Sequence, residues 1–371
     1  ALLFKGTNPV SKKENIAALG AGVADVNLSN ASCFASGAAS SFVHDTSAVA
    51  ALRSQLRGKS AAALEAGDGS SAFSFYGKYR SVASEASPSD LLLLARIEEL
   101  NGDYASAEKD AAASAADGDA ERLSWAVYLA LKNGDCQSAG EILFRAAGQP
   151  FSSSPDCALF RAIIARAQGE DSELKLEEGN GFVPRDKLSL LLHRYALVFG
   201  EPAGKVVLVS PSSADDGCVS AMSGSLVRPS DQRASRICAF LSGKRKSGDE
   251  ALALGSVSGG YDRLSVYPVL AVLNDRLAAA GTADATFLRS MKPEFCAAAA
   301  RLDRVRFLSL CAESFRRAGL AEEERTYLGL LEAELGIAGM PGVRASVLLR
   351  KAESFALSGA SATAQDNAII Q

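Results

Sequence analysis

Apolar residues recur at helical spacing along most of this chain, and Gly, Pro, Ser and Asp punctuate them into short runs. Phe73, Tyr76, Tyr79 and Val82 follow one another at near-helical intervals and predict a helix over about 71–86. Before it, Asp45 or Thr46 is placed to cap a helix through Ala66, ended by Gly67-Asp68-Gly69. After it, Ser87-Pro88-Ser89-Asp90 makes a sharp break, with Asp90 as N-cap of the Leu91–Leu100 run. Gly102 and Gly134 end successive apolar runs, because glycine accepts the left-handed conformation that a helix C-terminus favours. Pro155 or Asp156 then starts a helix with Ala158, Phe160, Ile163 and Ile164, stopped by Gly169. Pro184 opens another that reaches Phe199 before Gly200-Glu201-Pro202. Further helices are predicted near 229–242, 247–255 and 262–280. The last third reads as Pro293–Leu302, Arg304–Ala318, Ala321–Leu335, Val343–Leu357 and Ala362–Ile370. Lys205–Val209 is the single strand-like run, read as a short helix or an extended connector. Residues 1–45 lack periodicity and read as an arm or a segment ordered by a partner.

One unit repeats. It comprises Leu91–Leu94, Ala95, Gly102, Asp103, Tyr104 and Ala107, and after 32 residues Trp125, Tyr128, Leu131, Gly134, Asp135, Cys136 and Ala139. Degenerate copies follow at Ala162/Gly169, Ala312/Gly319 and Ala352/Gly359/Ala364. The expectation is an all-α chain of stacked antiparallel helical hairpins, an α-solenoid in which each hairpin covers the apolar face of the next. The organisation expected is an irregular arm over 1–45, hairpins over 46–180, an irregular helical middle over 181–292, and hairpins again over 293–371. Composition agrees: 48% of residues are hydrophobic but only 7% aromatic, so Ala, Leu and Val dominate and suit close helix packing.

Leu94-Ala95, Gly102-Asp103-Tyr104 and Ala107 resemble the tetratricopeptide repeat. The second copy keeps Gly134 and Ala139 but has Cys136 at the aromatic position and Val127 at the small one. The third keeps Ala162 and Gly169 but has Leu174 where Ala is expected, and the proline that usually ends such a repeat is irregular. The resemblance covers about 90–175 and, more loosely, 304–371. It implies a superhelix with a concave groove lined by the first helix of each hairpin, which places Arg96, Glu99, Trp125 and Tyr128 as partner-binding residues. A shorter stretch, Glu178-Gly179-Asn180 through Arg185 to Arg194-Tyr195, is similar to the MotC-type periplasmic motility proteins of alphaproteobacteria. That likeness implies a helical, motor-associated periplasmic role and transfers no functional residue.

Charge and chemistry narrow the function classes. The net charge of −4 gives no global footprint for nucleic acid, and no apolar stretch is long enough to cross a bilayer. The first residue, Ala1, is read as following either a removed leader or a trimmed end. Arg228, Arg233, Arg236, Lys244, Arg245 and Lys246 form a basic cluster suited to phosphate, anionic lipid or an acidic protein face, or else simply a solvated helix face. Gly200-Glu-Pro-Ala-Gly204-Lys205 has the wrong spacing for a phosphate loop and reads as a helix stop. A catalytic base for a Ser or Cys nucleophile would have to be His44 or His193, and His193 lies in an apolar run where a packed imidazole is the simpler reading. Glu98-Glu99 and Glu322-Glu323-Glu324 read as solvated faces, and Trp125 as inter-helix core or a groove aromatic. No Cys-x-x-Cys occurs among the seven cysteines, so no metal or cofactor is expected. Cys296 and Cys311 are placed to meet across a turn near Leu302, Cys218 and Cys238 across one near Val227, and Cys136 and Cys157 fit less well. The alternative is that all seven are small buried hydrophobes. Paired cysteines would favour an exported protein and free ones the cytoplasm.

The reading that follows is a non-enzymatic scaffold or adaptor for protein partners in a larger assembly, in an exported or periplasmic setting such as a flagellar motor. The rivals are an α-toroid enzyme with a carboxylate pocket and a cytosolic regulator that binds a peptide or nucleic acid through the basic cluster.

Overall fold

The structure, a computed structural model, describes residues 46–83, 85–172, 183, 185–200, 213–224, 231–243, 253–255, 260–279 and 284–358. The chain divides into units 1–50 and 51–371, and of the first only a helical segment from Thr46 is described. Among the described residues the regular structure is all α-helical, with two short 3-10 turns and no strand, and no helix is long and apolar enough to cross a membrane. Expectations for the N-terminal arm, His44, Leu174, Lys205–Val209 and Ala362–Ile370 lie outside the described residues, as do those for Arg228, Lys244, Arg245 and Lys246.

The helices are α1 (Thr46–Glu65), α2 (Gly69–Val82), α3 (Pro88–Asn101), α4 (Tyr104–Ser114), α5 (Ala120–Asn133), α6 (Cys136–Arg145) and α7 (Pro155–Gln168). There follow α8 (Arg185–Phe199), α9 (Ala214–Met222), α10 (Gln232–Ser242), α11 (Val266–Ala278), α12 (Ala285–Ser290), α13 (Arg301–Arg317), α14 (Ala321–Ile337) and α15 (Pro341–Ser358). Two-residue turns join α3 to α4 and α5 to α6. In each, the glycine caps the first helix at φ +79° and the following aspartate caps the second: Asp103 accepts from Ser106 N, and Asp135 from Ser138 N. Ala107, Ala111 and Ala139 are fully buried where these helices pack closely.

Several boundaries differ from expectation. Ser87, not Asp90, caps α3; Asp90 is the third residue of a reciprocal capping box, its carboxylate accepting from Ser87 N. Residues 293–302 do not form one helix: Pro293–Cys296 is a 3-10 turn, and Leu302 lies in the first turn of α13 instead of in a hairpin turn. Helices α9 and α12 lacked an apolar period strong enough to announce them.

A single hydrophobic core runs from Leu92 to Val347, with a satellite of Ala72, Tyr76, Tyr79, Leu93 and Ile97 under α2 and α3. Helix α5 is its centre: every residue from Leu123 to Lys132 is buried. Helices α3, α4, α6, α7 and α13 all contact it. The C-terminal hairpins pack back on the N-terminal ones, where Cys136 N donates to Ala338 O and Gly342 meets Gly169 backbone to backbone.

Candidate functional site

The burial of α5 carries one charge with it. Lys132, in its last turn, is 2% exposed, and its Nζ donates to Glu99 Oε1 on α3 at 2.8 Å and to Asp216 Oδ2 on α9 at 3.1 Å. Lys187 on α8 donates to both oxygens of Glu99, at 3.2 and 3.0 Å, and the Tyr128 hydroxyl donates to Glu99 Oε1 at 3.1 Å. The neighbouring Asp215 accepts from the Tyr104 hydroxyl and pairs with Arg263 at 3.4 Å. Beyond these, Arg194 on α8 donates to the Tyr267 hydroxyl at 3.1 Å and pairs with Asp303 on α13 at 3.6 Å. Tyr267 in turn donates to Asp303 Oδ2 at 2.9 Å. Four cations thus face four carboxylates in the interior, drawn from α3, α5, α8, α9 and α13 and from the turn before α11.

Burial opposes the charges of Glu99, Lys132 and Asp215, so their partners decide which form each keeps. Burial pushes Glu99 up, yet Lys132 and then Lys187 outweigh it and leave its carboxyl below the ordinary value. Burial pushes Lys132 down, yet Asp216 and Glu99 hold it above its ordinary value. For Asp215 burial wins over Arg263, and its carboxyl lies above the usual range. Burial foremost lifts Tyr104, Tyr128 and Tyr267 well above 10, so all three remain hydrogen-bond donors. His193 is pushed down to about 4 by burial and by Arg194, which keeps it neutral near pH 7. The arrangement is a filled, internally neutralised lock between helices distant in sequence. The cavity beside it, lined by Arg194, Asn274, Asp303 and Arg306 among others, has a volume of about 20 Å³, room for one water molecule.

This cluster takes up most of the expected groove. Glu99 and Tyr128 belong to it, and Trp125 is 3% exposed, with the Lys187 and Arg96 cations at 4.9 and 5.1 Å from its ring centre. Arg96 is the outermost of the four and pairs with Glu65 at 2.8 Å. Glu99, Trp125 and Tyr128 therefore do not line an open groove: they are 2%, 3% and 2% exposed, and Lys187 of α8 lies against the Glu99 carboxylate and both rings. Of the basic cluster, Arg233 is engaged internally, with Asp262, Leu254 O and Ser265 Oγ, and Arg236 is exposed on α10. The described residues hold no group of three or more His, Cys, Asp or Glu that would suit a metal.

Open space lies elsewhere, along α6. A groove of about 760 Å³ is lined by Gln137, Gly140, Glu141, Phe144 and Arg145 with Gln168, Gly339 and Pro341 opposite. A second, of about 390 Å³, runs along the other flank between α6 and α4, with Glu108, Lys109 and Asn133 in its wall. Phe144, at the rim of the larger one, is 83% exposed. Sequence reasoning missed Lys132, Asp215, Asp216, Arg194 and Asp303; the local signals were Lys132 and Arg194, each a cation within an apolar run. Comparison with protein-family models, with curated proteins and with solved structures finds no match for the chain.

Proposed function

We propose that this chain is a non-enzymatic helical-repeat scaffold of tetratricopeptide-like hairpins that binds a protein partner within a larger assembly. The partner surface is the exposed flank of α6 and not the covered face of α3 and α5. The observation that carries the reading is Phe144: a large aromatic side chain left in solvent beside a groove, while every other large apolar residue on α5 and α6 is buried. Solitary exposed apolar residues are ordinary, but an aromatic at the rim of a groove that also offers Gln137, Glu141, Arg145 and Gln168 is the arrangement of an interface anchor. The acids of the buried cluster, Glu99, Asp215, Asp216 and Asp303, are each held by cations or phenols, which supports a structural role for them over a catalytic one. The setting is an exported or envelope assembly, in keeping with the short MotC-like stretch; a cytoplasmic scaffold is the alternative, and fractionation of the native source separates the two.

The test places a photo-crosslinking phenylalanine analogue at position 144 and, as a control, at position 125 in the native source. Covalent capture of the same protein from position 144, lost on Glu141→Arg and absent from position 125, is the expected result. Capture from position 125 alone, or from neither position, overturns the assignment of the surface.

A further inference from the structure

Helices α9 and α10 form a hairpin whose facing sides bring together Cys218 and Cys238, 0% and 2% exposed. Their Sγ atoms lie 3.6 Å apart. The other described cysteines have different neighbours: Cys136 Sγ contacts the Tyr195 hydroxyl at 3.5 Å, and Cys296 Sγ donates to Pro293 O at 3.2 Å. A disulfide requires its sulfurs about 2.05 Å apart, so closing this pair asks for about 1.5 Å of sulfur movement, within the reach of χ1 rotation on two helices already in contact.

We infer that Cys218 and Cys238 are a dithiol that closes to an intramolecular disulfide and staples α9 to α10. The reaction is exchange with a disulfide oxidant, either a small-molecule disulfide or a disulfide-carrying oxidoreductase. The Cys238 thiolate attacks one sulfur of the oxidant, breaking its S–S bond and releasing one thiol. Cys218, deprotonated, then attacks Cys238 Sγ in the mixed disulfide and expels the second thiol. Two cysteine thiols are oxidised, one disulfide is reduced, and the two protons leave with the released thiols. Cys238 attacks first because it is the one of the two that keeps any exposure, 2% against 0%.

The consequence reaches the buried charge cluster. Asp215 and Asp216 sit in the first turn of α9, less than one helical turn before Cys218. Fixing α9 to α10 therefore fixes the two carboxylates that face Arg263 and Lys132. The chemistry does not depend on the proposed scaffold role, so failure of either leaves the other standing.

The test uses the purified full-length chain, equilibrated natively with oxidised glutathione, quenched in acid, alkylated in denaturant and digested without reduction. The expected result is two fewer alkylated thiols than the seven of the chain and a cross-linked peptide joining Cys218 to Cys238. Oxidation should raise Tm by about 5 °C, reversibly with dithiothreitol, as expected for closure of a loop of this length. The Cys218→Ala variant should instead accumulate a glutathione adduct on Cys238. Seven alkylated thiols at every oxidant ratio, a different linkage, or a redox-dependent Tm that persists in the Cys218→Ala/Cys238→Ala double variant overturns the inference.

Discussion

Replacing Lys132 by Met keeps the length and apolar stem of the side chain but removes the cation that Glu99 and Asp216 share. Both hydrogen bonds, at 2.8 and 3.1 Å, join side chains that are 2% exposed, so water does not replace the lost partner. Breaking a buried ion pair from one side costs about 3–5 kcal/mol. Lys187 still holds Glu99 at 3.0 Å, which places the expected loss at about 3 kcal/mol, the low end of that range. With an unfolding entropy of roughly 2.1 cal/mol/K per residue, that loss lowers Tm by about 4 °C for a chain of this size. Urea unfolding followed by circular dichroism, with calorimetry alongside, measures both quantities. The pH dependence is the sharper test. In the wild type Glu99 titrates below its unfolded value, so its contribution is present above that value and fades as pH falls through the folded one. Without Lys132, burial weighs more on Glu99 and raises its pKa, so a penalty grows as pH rises through the new value. The gap between wild type and variant therefore widens between pH 4 and pH 7. The double variant Lys132→Met/Glu99→Gln, which removes one charge of each sign, should regain at least half of the loss. A single variant within about 0.5 kcal/mol of wild type, the usual range for an exposed substitution, or a gap that does not change with pH, refutes the argument.

Two further outcomes follow from the packing. A Cβ on Gly342 would stand 2.4 Å from both N and Cα of Gly169, where backbone meets backbone and no side chain can yield. Gly342→Ala should thus separate α7 from α15 and cost about 2 kcal/mol or more in urea unfolding, whereas Gly329→Ala, with nothing within 4 Å of the added atom, should be neutral or stabilising. Glu98 is half-buried beside Asp110 and Asp103, and burial first, then those carboxylates, pushes it up to about 7. Its folded pKa exceeds the unfolded one, so the folded state holds the proton more tightly and stability falls as pH rises from about 4.5 to about 7. Glu98→Gln should flatten that limb of the stability–pH curve by less than about 2 kcal/mol once solvent screening is allowed for; an unchanged curve would show that the carboxylate is solvated.

What was legible in the sequence and what was not divides along a physical line. The hairpins at 88–145 were legible because their signals are local: glycine at the left-handed position, aspartate as the next N-cap, alanine where helices touch. The Cys218–Cys238 contact was also within reach, since consecutive helices that pack together place residues equidistant from the turn expected near Val227 side by side. For Cys296 and Cys311 the turn was put at Leu302, which lies inside α13 behind a 3-10 segment ending in small residues, although Cys296 still lies near enough to help burial push the Cys311 thiol up. The charge cluster was illegible for a different reason. Lys132 in the last turn of α5 reads as a solvated cation placed to suit the helix dipole, and Glu99 reads as one of a pair of surface acids. Each is buried among side chains that come from later in the chain, Lys187 of α8 reaching Glu99 and Asp216 of α9 reaching Lys132. A repeat grammar describes what each hairpin does to its neighbour; it carries no information about later helices whose side chains reach back to earlier ones. Those contacts also move the proposed partner surface: they bury Glu99, Trp125 and Tyr128, where the resemblance would put a ligand, and leave the flank of α6 open. A variant that dislodges α8, such as Lys187→Glu, should therefore expose Trp125 to acrylamide quenching without creating a ligand site. Partner capture gained through position 125 in that background would instead show that α8 is a cover over a working groove.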